Sequence, residues 1–278
     1  MVFVQRVAEA KEFGLDGGVR KVKKYGWHRS LPDMRDHMFS AHRAMLNKTP
    51  DLVDLSPKMP PVYDQGQLGS CTANASGAAF EYDQIKQGIP AWTPSRLMIY
   101  YLERLMEGTV GEDAGAQIRD ALKVLSKYGV CPESHWPYNV DKFKMKPDVQ
   151  DFKIASMNQA LRYASVNQTQ ADFEAVLASG YPIIGGFTVY SGFESAEAEK
   201  TGIVPMPKPK ERNQGGHAIL IVGYDRPKQQ FIVRNSWGAS WGLKGYFKIP
   251  YAYFLNPKLA DDFWVLYSVE DGDSVDGE

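Results

Sequence analysis

The 278-residue chain contains only two cysteines, Cys71 and Cys131. That excludes a disulfide framework and a four-cysteine zinc site, and leaves one bridge as the most it could form. No apolar run approaches the ~18 residues that a membrane helix requires. Glycine (25) and proline (17) are too few for a fibrous or disordered chain. Lys+Arg (32) and Asp+Glu (33) nearly cancel, so the basic footprint of a nucleic-acid-binding protein is missing. The histidines and aspartates His28, Asp33, Asp36, His37 and His42 have no HxxxH or HExxH spacing, so no metal and no cofactor is expected. Arg6, Glu9, Lys11 and Glu12 interrupt any apolar core of a secretion signal. With so few cysteines, a reducing, cytoplasmic setting is the expectation, unless a signal has been trimmed or export follows a route the sequence does not advertise. Repeats and low-complexity tracts are absent. What is present is a globular composition, 44% hydrophobic, long enough for two domains of roughly 150 residues.

Helical patterns come first along the chain. An Ala-rich run from Thr72 to about Gln87 stops at Gly88 and Pro90. Leu97, Tyr100, Tyr101, Leu102 and Leu105 recur at helical spacing between Ser95 and Glu107, and a third helix is predicted over Ala116 to Tyr128, ended by Gly129 and Pro132. Thr169 and Asp172 read as the capped start of a short helix ending at Gly180. The period then changes. Ile183 to Val189, Ala218 to Tyr224, Phe231 to Arg234, Gly245 to Ile249 and Phe263 to Val269 read as strands. Helices followed by strands predict an α+β chain with a helical half and a sheet or barrel half.

Cys71 sits where the first helix begins, a position at which the helix dipole and free N–H groups favour thiolate and can bind an oxyanion. Upstream, Gln65-Gly-Gln-Leu-Gly-Ser offers glycines for a tight turn and a Gln65 amide that could act as a second oxyanion donor. His217 opens a strand after Gly215 and Gly216, and Asn235 begins Asn-Ser-Trp-Gly after another strand. Alone, each would be an ordinary packing residue. Together, in this order, they supply a nucleophile, a base and a group that fixes the base's tautomer. Two other classes remain open. Acyl transferases of the Cys-His-acid type use Asp as the third residue, where this chain has Asn235, and a catalytically silent binding module would not need an intact triad.

These three motifs resemble the papain family of cysteine peptidases, over most of residues 51 to 270, in a bacterial-type branch with a short N-terminal segment. The matching strings are Gln65-Gly…Gly69-Ser-Cys71, Gly216-His217-Ala with Val222-Gly-Tyr224, and Asn235-Ser-Trp-Gly…Trp241-Gly…Gly245-Tyr. His217 follows Cys71 by 146 positions, inside the ~130–150 typical of such enzymes, while Asn235 overshoots slightly at 164. The resemblance implies a two-domain fold: a helical left domain (51–165) carrying the nucleophile, a β-barrel-like right domain (166–278) carrying His and Asn, and a cleft between them. It further implies Cys71 as nucleophile, His217 as base and then acid, Asn235 as orienter, Gln65 with the Cys71 N–H as oxyanion hole, and Trp237 as a shield over the His–Asn bond. Peptides or proteins would be the substrates and a monomer the working unit. Leu68 and Asp113 stand where the family commonly carries a disulfide, so no bridge is expected; Cys131 is expected to be a buried thiol.

Substrate subsites are implied at Gly69, Ser70, Gly115 and Ala116 on the helical side and at Gly186, Gly215, Gly216, Ala218 and Trp237 on the other. Gly and Ala suggest an open apolar pocket for a hydrophobic P2 side chain. With no acidic residue beside His217 in sequence, no preference for arginine is expected there. Residues 1–50 carry ten basic and five acidic residues, leaving −6 for the remainder. The expectation is an inhibitory arm docked through Trp27, Leu31, Met34, Met38 and Phe39, assisted by charge attraction.

Overall fold

The computed structural model describes residues 25–39 and 49–270. Most of the basic residues of the N-terminal segment (Arg6, Lys11, Arg20, Lys21, Lys23, Lys24, Arg43 and Lys48), and His42, lie outside these. In chain order the elements are β1 (Leu52–Asp54), α1 (Cys71–Gln87), α2 (Arg96–Glu107), α3 (Ile118–Lys127), α4 (Val149–Ala155), β2 (Ala160–Ser165), α5 (Gln170–Ala178), β3 (Ile183–Tyr190), α6 (Ala196–Thr201), β4 (Asn213–Asp225), β5 (Gln230–Arg234), β6 (Tyr246–Pro250), α7 (Tyr251–Phe254) and β7 (Ala260–Val269).

Local chemistry explains where the helices stop and start. Gly88 and Gly108 adopt left-handed φ of 75° and 73° and close α1 and α2, an arrangement a side chain would strain. Ser95 Oγ accepts from Met98 N at 3.2 Å, and Thr169 Oγ1 from Asp172 N at 3.1 Å, so both are N-caps rather than helix residues. Asp148 and Asp151 form a reciprocal capping box on α4 that the sequence reading did not anticipate. Helix α1 is buried on every side from Cys71 to Gln84, which accounts for its Ala, Ser and Gly content. It packs on α2 and α3 on one side and on β4 and β7 on the other, and so joins the two halves.

The strands make one antiparallel sheet in the order β2-β7-β3-β4-β5-β6, with β1 added on the end of β4. Among the described residues the two end strands, β2 and β6, do not pair with each other, so the barrel-like half implied by the resemblance is an open sheet. Strands β1 and β2 come from the sequence between 51 and 165 yet belong to this sheet. Strand β4 is longer than its hydrophobic run, because Asn213, Gly215 and Gly216 pair with β3 although they are polar or glycine. That extension puts His217 opposite Phe187, over an aromatic floor of Phe187, Phe193, Trp241 and Phe247. Cys131 is a free, buried thiol beside Met98, Leu102 and Val124, as expected.

Candidate active site

Cys71 is the first residue of α1, free of any disulfide and fully buried. Burial pushes its thiol up to about 12, against the pull of backbone N–H groups of Ala218, Gly26 and Thr72. Gln65, six positions upstream, is buried and fixed from two sides. Its N–H donates to Ser236 O (2.9 Å), its Oε1 accepts from Ser236 Oγ (2.6 Å), and its Nε2 donates to Leu68 O (2.9 Å). The loop from Gln65 to Cys71 is therefore tied to the strand end that carries Asn235.

His217 is also fully buried. Its Nε2 lies 2.9 Å from Asn235 Oδ1, which makes Nε2 the protonated nitrogen and leaves Nδ1 as the basic one. Trp237 stacks on the imidazole, centroids 4.9 Å apart and planes at 22°.

Asp113 is a site residue for which sequence reasoning recorded only a missing cysteine. Its carboxylate accepts from Gly69 N at 3.0 and 3.1 Å and from Tyr100 Oη, and Tyr100 Oη in turn accepts from Gly115 N at 3.1 Å. Hydrogen bonds thus join the Gln65–Cys71 loop to the Gly115–Ala116 segment. Asp113→Ala is expected to lower stability by about 1–3 kcal/mol, the cost of orphaning a buried N–H, while Asp113→Asn stays near the parent. Denaturant midpoints of the two variants check this.

Residues 25–30 run through the cleft and touch both halves. Trp27 N donates to Gly216 O (2.9 Å), His28 N to Ala116 O (3.1 Å), and Ala116 N to Gly26 O (2.7 Å). The Trp27 indole fills a slot between Gly186 and Gly216, where an added Cβ would stand 1.9 and 2.6 Å from its ring. Tyr25 packs edge-on to His217 and against Trp237. Of the expected subsite residues, Gly69, Gly115, Ala116, Gly186, Gly215, Gly216, Ala218 and Trp237 surround this segment or Cys71. Ser70 differs: its hydroxyl bonds Tyr138 Oη (2.5 Å) and Asn74 Nδ2 (3.0 Å) within the helical half.

The expected anchors are only partly used. Trp27 is buried and Phe39 half-buried, but Leu31 and Met34 are 79% and 105% exposed and Met38 is exposed too. Tyr25, unexpected as an anchor, replaces them. Direct charge pairing is also mixed in sign, since Arg29 meets Asp261 (3.0 Å) while Asp36 meets Arg119 (2.6 Å). Residues 37–39 join the sheet edge at Ser165, with Phe39 N donating to Ser165 O and Ser165 N to His37 O, both at 2.7 Å. The slot is not purely apolar either. Asp262 reaches it from β7, 45 positions beyond His217, which is why sequence neighbourhood missed it.

Against known proteins, the model of the papain family cysteine proteases matches residues 47–256. An uncharacterized peptidase C1-like protein of Acanthamoeba polyphaga mimivirus is 39% identical over 274 residues, covering 90% of this chain and 88% of the viral protein. Among solved structures, xylellain, a cysteine protease from Xylella fastidiosa, is 41% identical with a TM-score of 0.84, covering 90% of this chain and 98% of its own. Procathepsin B from Trypanosoma congolense shares the fold at 17% identity and a TM-score of 0.69, over 85% of this chain and 83% of its own. Further curated relatives at 24–29% identity are longer, and this chain spans 51–64% of them.

Proposed function

The chain belongs to the papain family of cysteine proteases, and from that premise we propose that it hydrolyses peptide bonds through Cys71, His217 and Asn235 and is held latent by residues 25–30. The observation that carries the reading is the 2.9 Å His217–Asn235 bond beside the stacked Trp237 ring, on the strand whose next residue, Ala218, turns its N–H to the Cys71 thiol. His217 Nδ1 takes the thiol proton, and the sulfur attacks the substrate carbonyl carbon. The resulting oxyanion sits at the α1 N-terminus, facing the Cys71 N–H and the Gln65 amide. Collapse expels the amine, which takes the proton back from His217, and leaves a thioester. Water, deprotonated by the same imidazole, then releases the acid and restores the thiol.

Residues 25–30 occupy the path of a substrate but present the wrong group to the nucleophile. The Gly26 N–H faces the thiol, and the Gly26 carbonyl is engaged by Ala116 N. The segment therefore occludes the site without offering it a scissile carbonyl.

An activated ester tests the reaction. With the full-length Gly26→Ala protein, in which the segment is displaced, a nitrophenyl ester is expected to give a product burst and an acyl mass on the peptide containing Cys71. Acyl mass elsewhere, or none, contradicts the scheme. Replacing the oxyanion donor by Gln65→Glu, which keeps the bond from Ser236, is expected to lower kcat roughly 10²–10³-fold with little change in KM. Steady-state kinetics separate the two constants.

A further inference from the structure

Glu103 lies on α2, against the first turn of α1, and is fully buried. Its Oε1 accepts from Thr72 Oγ1 at 2.6 Å, while Oε2 has no hydrogen-bond partner. Thr72, also fully buried, directly follows the nucleophile, and its N–H faces the Cys71 thiol. The hydroxyl has no ready alternative to Glu103. A helical threonine otherwise bonds back to the carbonyl four positions earlier, and that carbonyl, Leu68 O, already accepts from Gln65 Nε2 at 2.9 Å.

Among the described residues no cation pairs with Glu103. On its own helix Arg104 directs its guanidinium to four backbone carbonyls, and Glu107 is a second acid. Asp120 faces it from α3, and the Cys71 thiol from α1. A carboxylate buried in this company without a partner is costly, so the group keeps its proton; burial pushes it well above the ordinary carboxylate range. Ionised, it would also set a negative charge against the thiolate. As the neutral acid it gives Thr72 an acceptor and leaves the thiolate unopposed.

We propose that Glu103, as the uncharged acid, is a positioning residue of this peptidase: through the Thr72 hydroxyl it fixes the first turn of α1 so that the Thr72 N–H stays on the thiol. Removal of the acceptor frees the hydroxyl to compete with the Gln65 amide for Leu68 O, which loosens the turn leading into the nucleophile as well. The inference rests on the proposed peptidase reading of the cleft.

The test uses the full-length Gly26→Ala protein, a fluorogenic peptide, and iodoacetamide as a probe of the Cys71 thiol. Glu103→Leu, which keeps bulk but no acceptor, is expected to lower kcat about tenfold with KM within about twofold, the lower end for a hydrogen bond to a charged group. The pH midpoint of Cys71 alkylation is expected to rise by about one unit, the same free energy read on the thiolate. Thr72→Val is expected to do the same, and the two together no more than either alone, as for opposite ends of one bond. Glu103→Gln, uncharged and still an acceptor, is expected to stay within about threefold in kcat with the midpoint unmoved. Three results overturn the assignment and leave the peptidase reading intact: a midpoint unmoved by Glu103→Leu, as for a carboxyl that serves stability alone; additive losses in the double variant; or a midpoint that Glu103→Gln lowers by about a unit, as removal of a charge would. Failure of the Gly26→Ala protein to cleave any peptide overturns that reading and this one with it. If Glu103→Leu does not fold, kcat and the alkylation midpoint of Thr72→Val decide.

Discussion

Gly26→Ala is expected to convert the full-length chain from a latent to a reactive form. A Cβ at position 26 would stand 1.8 Å from Gly69 O and 2.5 Å from its carbonyl carbon, both backbone atoms. Neither side can give way easily. Gly69 is held by Asp113, and the segment is pinned by the bonds from Ala116 N to Gly26 O and from Trp27 N to Gly216 O. The clash therefore lifts residues 25–30 out of the cleft, and with them the cover over Cys71. The burial that holds the thiol up to about 12 is then relaxed towards the ordinary value near 8.5. At neutral pH each unit of that fall raises the thiolate fraction tenfold, so alkylation of Cys71 by iodoacetamide is expected to accelerate roughly 10²–10³-fold. Peptide turnover should appear in parallel. Met34→Ala, at a fully exposed position beyond that segment, should leave both unchanged. Unaltered alkylation in a natively folded Gly26→Ala protein would mean that the segment does not seal the site.

Cys71→Ala, made in that displaced background, is expected to remove at least ~10⁴-fold of kcat, the scale seen when a hydrolase loses its nucleophile. The fold should persist. Cys71 is fully buried at the start of α1 and alanine replaces a thiol by hydrogen, a change in apolar burial on the order of one methylene, or ~1 kcal/mol. Alanine also suits the helix. Turnover within a few-fold of the parent, with melting temperature preserved, would remove Cys71 from the reaction and leave the His217–Asn235 pair without a nucleophile to serve.

The elements legible in the sequence are those with local causes. Cys71 begins α1 as its Ala-rich run and Gly88 terminator predict, Ser95 and Thr169 cap their helices through their own hydroxyls, and β5 and β6 fall within a residue of their apolar runs. The three motifs were legible for the same reason, since Cys71, His217 and Asn235 each stand beside local glycines or apolar runs that mark an element. Of the proposed triad, the His217–Asn235 pair meets in the structure at 2.9 Å.

Tertiary structure decided what depends on partners far away in sequence. Strands β1 and β2, short and weakly patterned, exist because β4 and β7 offer them backbone partners, and β4 runs back to Asn213 because β3 pairs with it. Leu31, Met34 and Met38 are as apolar as Trp27, yet only Trp27 meets a slot of matching shape, so composition could not choose among them. The Asp113 carboxylate accepts the Gly69 N–H with both oxygens, and Asp262 reaches the Trp27 indole from the last strand. Helix caps and periodicity act over three or four residues and are visible in the chain itself. Which acid faces which donor across a cleft is set by the packing of segments 44 residues apart for Asp113 and Gly69 and 235 apart for Asp262 and Trp27, and no local pattern carries it.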